Sequence, residues 1–127
     1  MKKKNIVLQS IINEKGIKQT KKWDLKANVE EKNEKLKIDF SIENDLYKYF
    51  LINKEKLVVF KNTNKILSLN KLGNSKACFF IDKNKKIKVN IIVEEFIIKE
   101  NIMRFKYSLY EKDKFIYNIT LNLEIKN

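Results

Sequence analysis

Apolar and polar side chains alternate one for one along most of this sequence. In the last segment Phe115, Tyr117, Ile119, Leu121, Leu123 and Ile125 share one parity. Asn118, Thr120, Asn122, Glu124 and Lys126 take the other, and only Ile116 breaks the order. The same rhythm runs through Trp23, Leu25, Ala27 and Val29, through Leu36, Ile38, Phe40 and Ile42, and through Met103, Phe105, Tyr107 and Leu109. Successive side chains of a strand point to opposite faces, so period two builds a sheet with one buried and one wet face. That is the pattern of antiparallel sheets. No segment sustains a helical stripe over three turns, so the chain is expected to be all-β.

Turns must form without proline and with only two glycines, Gly16 and Gly73. Asn and Asp tolerate left-handed backbone and stand between the apolar runs. The breaks fall near Asn13–Gly16, Lys32-Asn33, Asn44-Asp45, Asn53–Glu55, Asn62–Asn64, Gly73-Asn74, Asp82–Lys85, Glu100-Asn101 and Lys112–Lys114. They divide the chain into about ten short strands, too many for anything but a barrel or sandwich. Residues 1–127 read as one domain, without linker, repeat or low-complexity tract. A two-residue turn at Lys32-Asn33 sets Val29 opposite Leu36, Ala27 opposite Ile38, Leu25 opposite Phe40 and Trp23 opposite Ile42. A three-residue turn at Lys112–Lys114 sets Leu109 opposite Tyr117 and Phe105 opposite Leu121. Each register pairs apolar with apolar, and a one-residue slip would destroy that. Sequential hairpins of this kind predict an antiparallel up-and-down β-barrel of about 8–10 strands.

Composition removes whole classes of chemistry. There is no histidine, so no His-based triad, zinc–histidine site or histidine pH switch is available. A single cysteine, Cys78, excludes an internal disulfide and a thiolate cluster, which fits a reducing compartment. No Gly-rich phosphate loop, paired-carboxylate geometry or metal-spaced acidic motif is present. The expectation is a protein that is not an enzyme and carries no cofactor. The formal charge is +12, from 28 basic and 16 acidic residues. Lys, Ile and Asn, all with A/T-rich codons, occupy 61 of the 127 positions, and Arg104 is the only arginine. Base bias therefore accounts for much of the lysine, although the charge attracts polyanions whatever its origin. Dispersed lysines predict nucleic-acid binding that is weak and non-specific. The segment Asn5–Ile12 after Met1-Lys2-Lys3-Lys4 is too short and too interrupted for a signal peptide, and no apolar run approaches a bilayer span. The expected setting is cytoplasmic, without membrane attachment.

The order of elements resembles the YwiB-like family of small bacterial proteins, a domain of unknown function with a calycin-like, lipocalin-related β-barrel fold. The resemblance rests on the hairpin around Gly16, on Lys71-Leu72-Gly73 followed by Cys78-Phe79-Phe80, and on the end of the chain. There Met103-Arg104-Phe105-Lys106-Tyr107-Ser108-Leu109 precedes Asn118-Ile119-Thr120-Leu121-Asn122-Leu123-Glu124-Ile125. It covers most of the chain. The family implies a fold and a relation to ligand-binding barrels, and no reaction or catalytic residue. A Thr-Pro-Tyr-Gly-like stretch common in such proteins is missing here, so no binding feature carries over from it.

Glu94 is the anomaly among the candidate site residues. A two-residue turn at Glu100-Asn101 pairs Lys99 with Ile102 and brings Ile98 beside Met103 and Phe96 beside Phe105. Continued without a break, this register sets Ile92 by Leu109 and Glu94 by Tyr107, on the inner wall. A buried carboxylate there needs a partner or a purpose. One reading is a polar anchor for a small, mainly apolar ligand with a hydrogen-bonding or cationic head, lined by Glu94, Tyr107, Phe96, Phe105 and Trp23. The other is a solvated Glu94 at the mouth or in a bulge. The parity change from Ile87, Val89 and Ile91 to Ile92, Phe96 and Ile98 asks for a bulge nearby. Lipocalin-like barrels often close one end with an early Trp beneath a late Arg, which nominates Trp23 and Arg104. The register nevertheless sends Arg104 outward with Lys106. Tyr47-Lys48-Tyr49-Phe50 and Phe105-Lys106-Tyr107 are either base-stacking platforms or alternating core residues. Ile6, Val7, Leu8, Ile11 and Ile12 form a strand apolar on both faces, a candidate protein-interaction patch.

Overall fold

The computed structural model describes residues 2–71, 74–80 and 86–126, and the side chains of residues 2–71 and 89–126. Ten antiparallel strands form one sheet: β1 (Lys2–Glu14), β2 (Ile17–Lys32), β3 (Lys35–Ile42), β4 (Asp45–Ile52), β5 (Lys56–Lys61), β6 (Asn64–Asn70), β7 (Asn74–Phe80), β8 (Lys86–Lys99), β9 (Ile102–Glu111) and β10 (Lys114–Lys126). The described residues contain no helix. Neighbouring strands follow chain order, except that β1 joins β10, giving β6-β5-β4-β3-β2-β1-β10-β9-β8-β7. The two ends of the sheet, β6 and β7, come side by side, without a hydrogen-bonded ladder among the described residues. The result is a nearly closed up-and-down barrel. The breaks expected at Gly73 and Asp82–Lys85, and the Cys78 and Ile87 side chains, lie outside the described residues.

Scarcity of glycine leaves its mark on the turns. Lys15, Asn33, Glu34, Glu43, Asn53, Lys54, Asn62, Glu100 and Lys112 all adopt positive φ. At Lys15-Gly16 and Asn33-Glu34 both turn residues do so, as a type I′ hairpin turn requires. The β2–β3 turn is therefore Asn33-Glu34, not Lys32-Asn33. The register moves by two residues, with Val29 opposite Ile38 and Asn28 opposite Asp39. A two-residue shift keeps the parity, so the same residues still face inward. Asn28–Asp39 is also the last pair, because β2 and β3 part beyond it. At β9–β10, Leu109 meets Tyr117 and Phe105 meets Leu121, as expected. A two-residue turn followed by a bulge at Ile116 achieves this, and the extra residue explains why Ile116 broke the alternation.

The inner wall carries the core. Ile38, Phe40, Phe105, Leu121 and Leu123 are buried, and Trp23, Leu25 and Leu36 pack half-buried against them. Ile6 and Leu8 are core residues too, while Val7 and Ile11 on the other face of β1 are half-buried. Aromatic rings cluster on the inner wall. Phe40 lies 5.3 Å from Tyr49, and Phe96 meets Phe105 edge-on at 4.9 Å. Burial pushes the Tyr107 phenol above its ordinary value, helped by the nearby phenols of Tyr49 and Tyr117. Tyr49 stands on β4 and Tyr107 on β9, five places apart in the sheet, and both are buried inside. These rings form an aromatic waist within the buried core.

Candidate functional site

Glu94 does not stand on the inner wall. The ladder shifts between Val93 and Glu95: Val93 pairs with Tyr107, Glu95 with Lys106, and Glu94 is the extra residue. A bulge turns two consecutive side chains toward one face. Both carboxylates accordingly lie outside. Glu94 accepts a hydrogen bond from the Ser108 hydroxyl and sits 3.7 Å from Lys106 Nζ. The Arg104 guanidinium donates from Nε to Glu95 at 2.9 Å and holds that carboxyl below its usual range. The expected Glu94–Tyr107 pair is thus broken by one inserted residue, and the solvated, bulged reading is the observed one. Arg104, committed to this outer cluster, does not close the barrel over Trp23.

The remaining nominated residues stay inside. Phe105 and Tyr107 are buried in the waist, Phe96 is half-buried against Phe105, and Trp23 is half-buried on β2. The aromatic run on β4 is core on alternate residues: Tyr47 stacks on Phe40 at 5.7 Å, and Tyr49 lies beneath. On the outer face Phe50 packs edge-on against Phe60, with Lys35 Nζ 4.7 Å from its ring centroid.

Sequence reasoning missed what happens around Trp23. From Ala27 back to Ile17, toward the β1–β2 turn, β2 is paired only with β1. The β1–β2 hairpin therefore overhangs the barrel, and every residue from Glu14 to Lys22 is exposed. Its inner side carries a cleft of about 180 Å³ lined by Ile12, Glu14, Lys15, Ile17 and Gln19. Half-buried apolar residues continue inward from it: Ile12, Trp23, Ile119 and Tyr117, with Ile42 and Tyr47 on β3 and β4. Burial raises the Tyr117 phenol, and the Glu14 carboxylate adds to the effect, so a negative charge lies close to that hydroxyl. Such a mouth offers a graded surface: apolar rings inside, then a phenol, then a carboxylate at the rim. Among the described residues no group of three or more His, Cys, Asp or Glu is placed to hold a metal. Nor is any helix among the described residues long and apolar enough to cross a membrane.

No family model and no curated protein matches the chain. A solved structure does: the ywiB protein from Bacillus subtilis superposes with a TM-score of 0.64 at 12% identity, over 98% of this chain and 94% of that one. At that identity the likeness is one of fold. The chain has a YwiB-like fold, an all-β and nearly closed barrel, as its strand order and closing segments had suggested.

Proposed function

We propose that this protein is a non-catalytic binding module of calycin-like type that takes one small, mainly apolar ligand at the mouth of the barrel. The parting of β2 from β3 after Asn28–Asp39 carries the reading, because it leaves Trp23 and Leu25 as half-buried wall residues. Barrels of about eight strands can already hold one small ligand. Binding sites are commonly apolar concavities with a few polar groups that orient the ligand. Here the polar groups are the Tyr117 phenol and the Glu14 carboxylate, which suit a hydrogen-bonding or cationic head. Glu94 has no part in it. The setting we infer is cytoplasmic, with no membrane attachment.

Trp23 is the only tryptophan, so its emission reports on the site. Titration with N-phenyl-1-naphthylamine, an uncharged dye that brightens in apolar surroundings, avoids simple attraction to the net positive charge. The expected result is saturable brightening of the dye with matching quenching of Trp23, at micromolar concentrations (about −8 kcal/mol at 1 μM). A dye that stays dark while Trp23 emission is unchanged, up to its solubility limit, overturns the reading.

A further inference from the structure

The opposite end of the barrel is built differently. The register places Asn5 between Lys26 on β2 and Lys126 on β10, all three on the outer face. Lys3 lies two residues further toward that rim on the same face, while Lys2 and Lys4 occupy the alternate positions of β1. Together these six residues line an open cleft of about 550 Å³. No acidic side chain lines it, and among the described residues none of its five lysines is in an ion pair. Asp24 and Glu124 flank Val7 one row away, bounding the cleft on one side.

We propose that this basal cleft binds an oligophosphate, meaning a run of linked phosphate groups. Base composition can explain how many lysines the chain has, but not why three strands converge five of them on one concavity. Clustered cations raise the local potential far above that of dispersed ones and concentrate anions there. Lysine is a compact point charge with rotatable donors, suited to phosphate oxygens without fixed geometry. The Asn5 amide adds a neutral donor between Lys26 and Lys126. No element of the cleft reads base edges, so a nucleic-acid strand and a free oligophosphate would present it with the same chemistry.

The test compares two triple variants of equal net charge. Lys3→Ala/Lys26→Ala/Lys126→Ala removes the three outward-facing lysines of the cleft, while Lys18→Ala/Lys21→Ala/Lys22→Ala removes as many charges from the overhanging hairpin. Inorganic triphosphate is titrated by calorimetry and a single-stranded thymidylate oligomer by anisotropy, at about 0.15 M salt. The cleft variant should lose about tenfold or more in affinity. The hairpin variant should stay within about twofold, and the oligomer's salt slope should fall by about two only in the cleft variant. Unchanged Trp23 emission checks the fold, and Lys→Gln versions, which keep much of each side-chain stem, repeat the comparison should alanine perturb it. Tight triphosphate binding with a weak oligomer identifies a free oligophosphate; the reverse identifies a strand backbone. Equal losses in both variants, or no binding of either ligand by the parent protein, overturn the proposal.

Discussion

The two ends of this barrel share strands but not chemistry. At the mouth, inward positions of β1, β2 and β10 hold Ile12, Trp23 and Ile119, and the neighbouring strand β3 has moved away. At the base, the same strands carry Lys2, Lys3, Lys4, Lys26 and Lys126, and Val29 on β2 is still paired with Ile38. Strand β1 passes from lysines through buried Ile6 and Leu8 to half-buried Ile12 without a change of period. Alternation decides which face a residue takes, whereas position along the strand decides which solvent-exposed end it serves. The aromatic waist of Phe40, Tyr49, Phe96, Phe105 and Tyr107 belongs to the core that both ends share.

Breaking that waist should have the largest effect. Phe105 is 1% exposed and touches Phe96, so Phe105→Ala is expected to cost about 3–5 kcal/mol by urea unfolding. A smaller loss would mean that these rings are loosely packed. Alkali attacks the same place. The Tyr49 and Tyr107 phenols are raised by burial, so the folded protein keeps them neutral where the unfolded chain ionises, near pH 10. Their contribution is whole below that pH and is lost as the pH climbs above it. Tyrosinate absorbance should therefore show these two phenols ionising only with unfolding, and Tyr107→Phe should blunt the loss. Early, reversible ionisation of all five tyrosines contradicts the burial of these two phenols.

Two milder substitutions sharpen the contrast from outside the lumen. Glu34→Gly, in the basal β2–β3 turn, relieves a side chain at φ 62 and should stabilise by about 0.5–1 kcal/mol, measured as a raised unfolding midpoint. Dye binding at the mouth should not change with it. Glu94→Gln should matter least. Its Lys106 partner is 3.7 Å away and both side chains are more than a third exposed, so solvent screening leaves such a pair at roughly 0–1 kcal/mol. Weakened dye binding in this variant would return Glu94 to the site.

Much of the fold was legible because period two is a strong signal wherever one face is buried. The inward set Ile38, Phe40, Phe105, Leu121 and Leu123 follows from parity alone. Counting residues through irregularities was harder. The parity change between Ile91 and Phe96 was visible, but nothing in the letters shows that the extra residue is Glu94. Placing it at Val93 instead would have paired Glu94 with Tyr107 and turned that carboxylate inward. The β2–β3 register failed for a related reason: Lys32-Asn33 and Asn33-Glu34 both resemble turns, and only backbone angles separate them. The candidate mouth was hidden altogether. Alternation on β2 and β3 continues unbroken after the strands diverge, and pairing leaves no trace in one strand's own sequence.

The β1–β10 ladder sets a timetable for assembly. Leu8 meets Leu123, and Ile6 meets Ile125, across almost the whole length of the chain. Hairpins such as β3–β4 or β4–β5 can form as soon as they are synthesised, but the ribosome must deliver β10 before β1 gains its second neighbour. Chains closed by such distant pairings fold slowly, and their unsatisfied edges stay open to other chains meanwhile. Until β10 arrives, the edge left waiting begins with Lys2, Lys3 and Lys4. Like charges there would repel a second nascent copy during the interval when β1 is most exposed to mispairing.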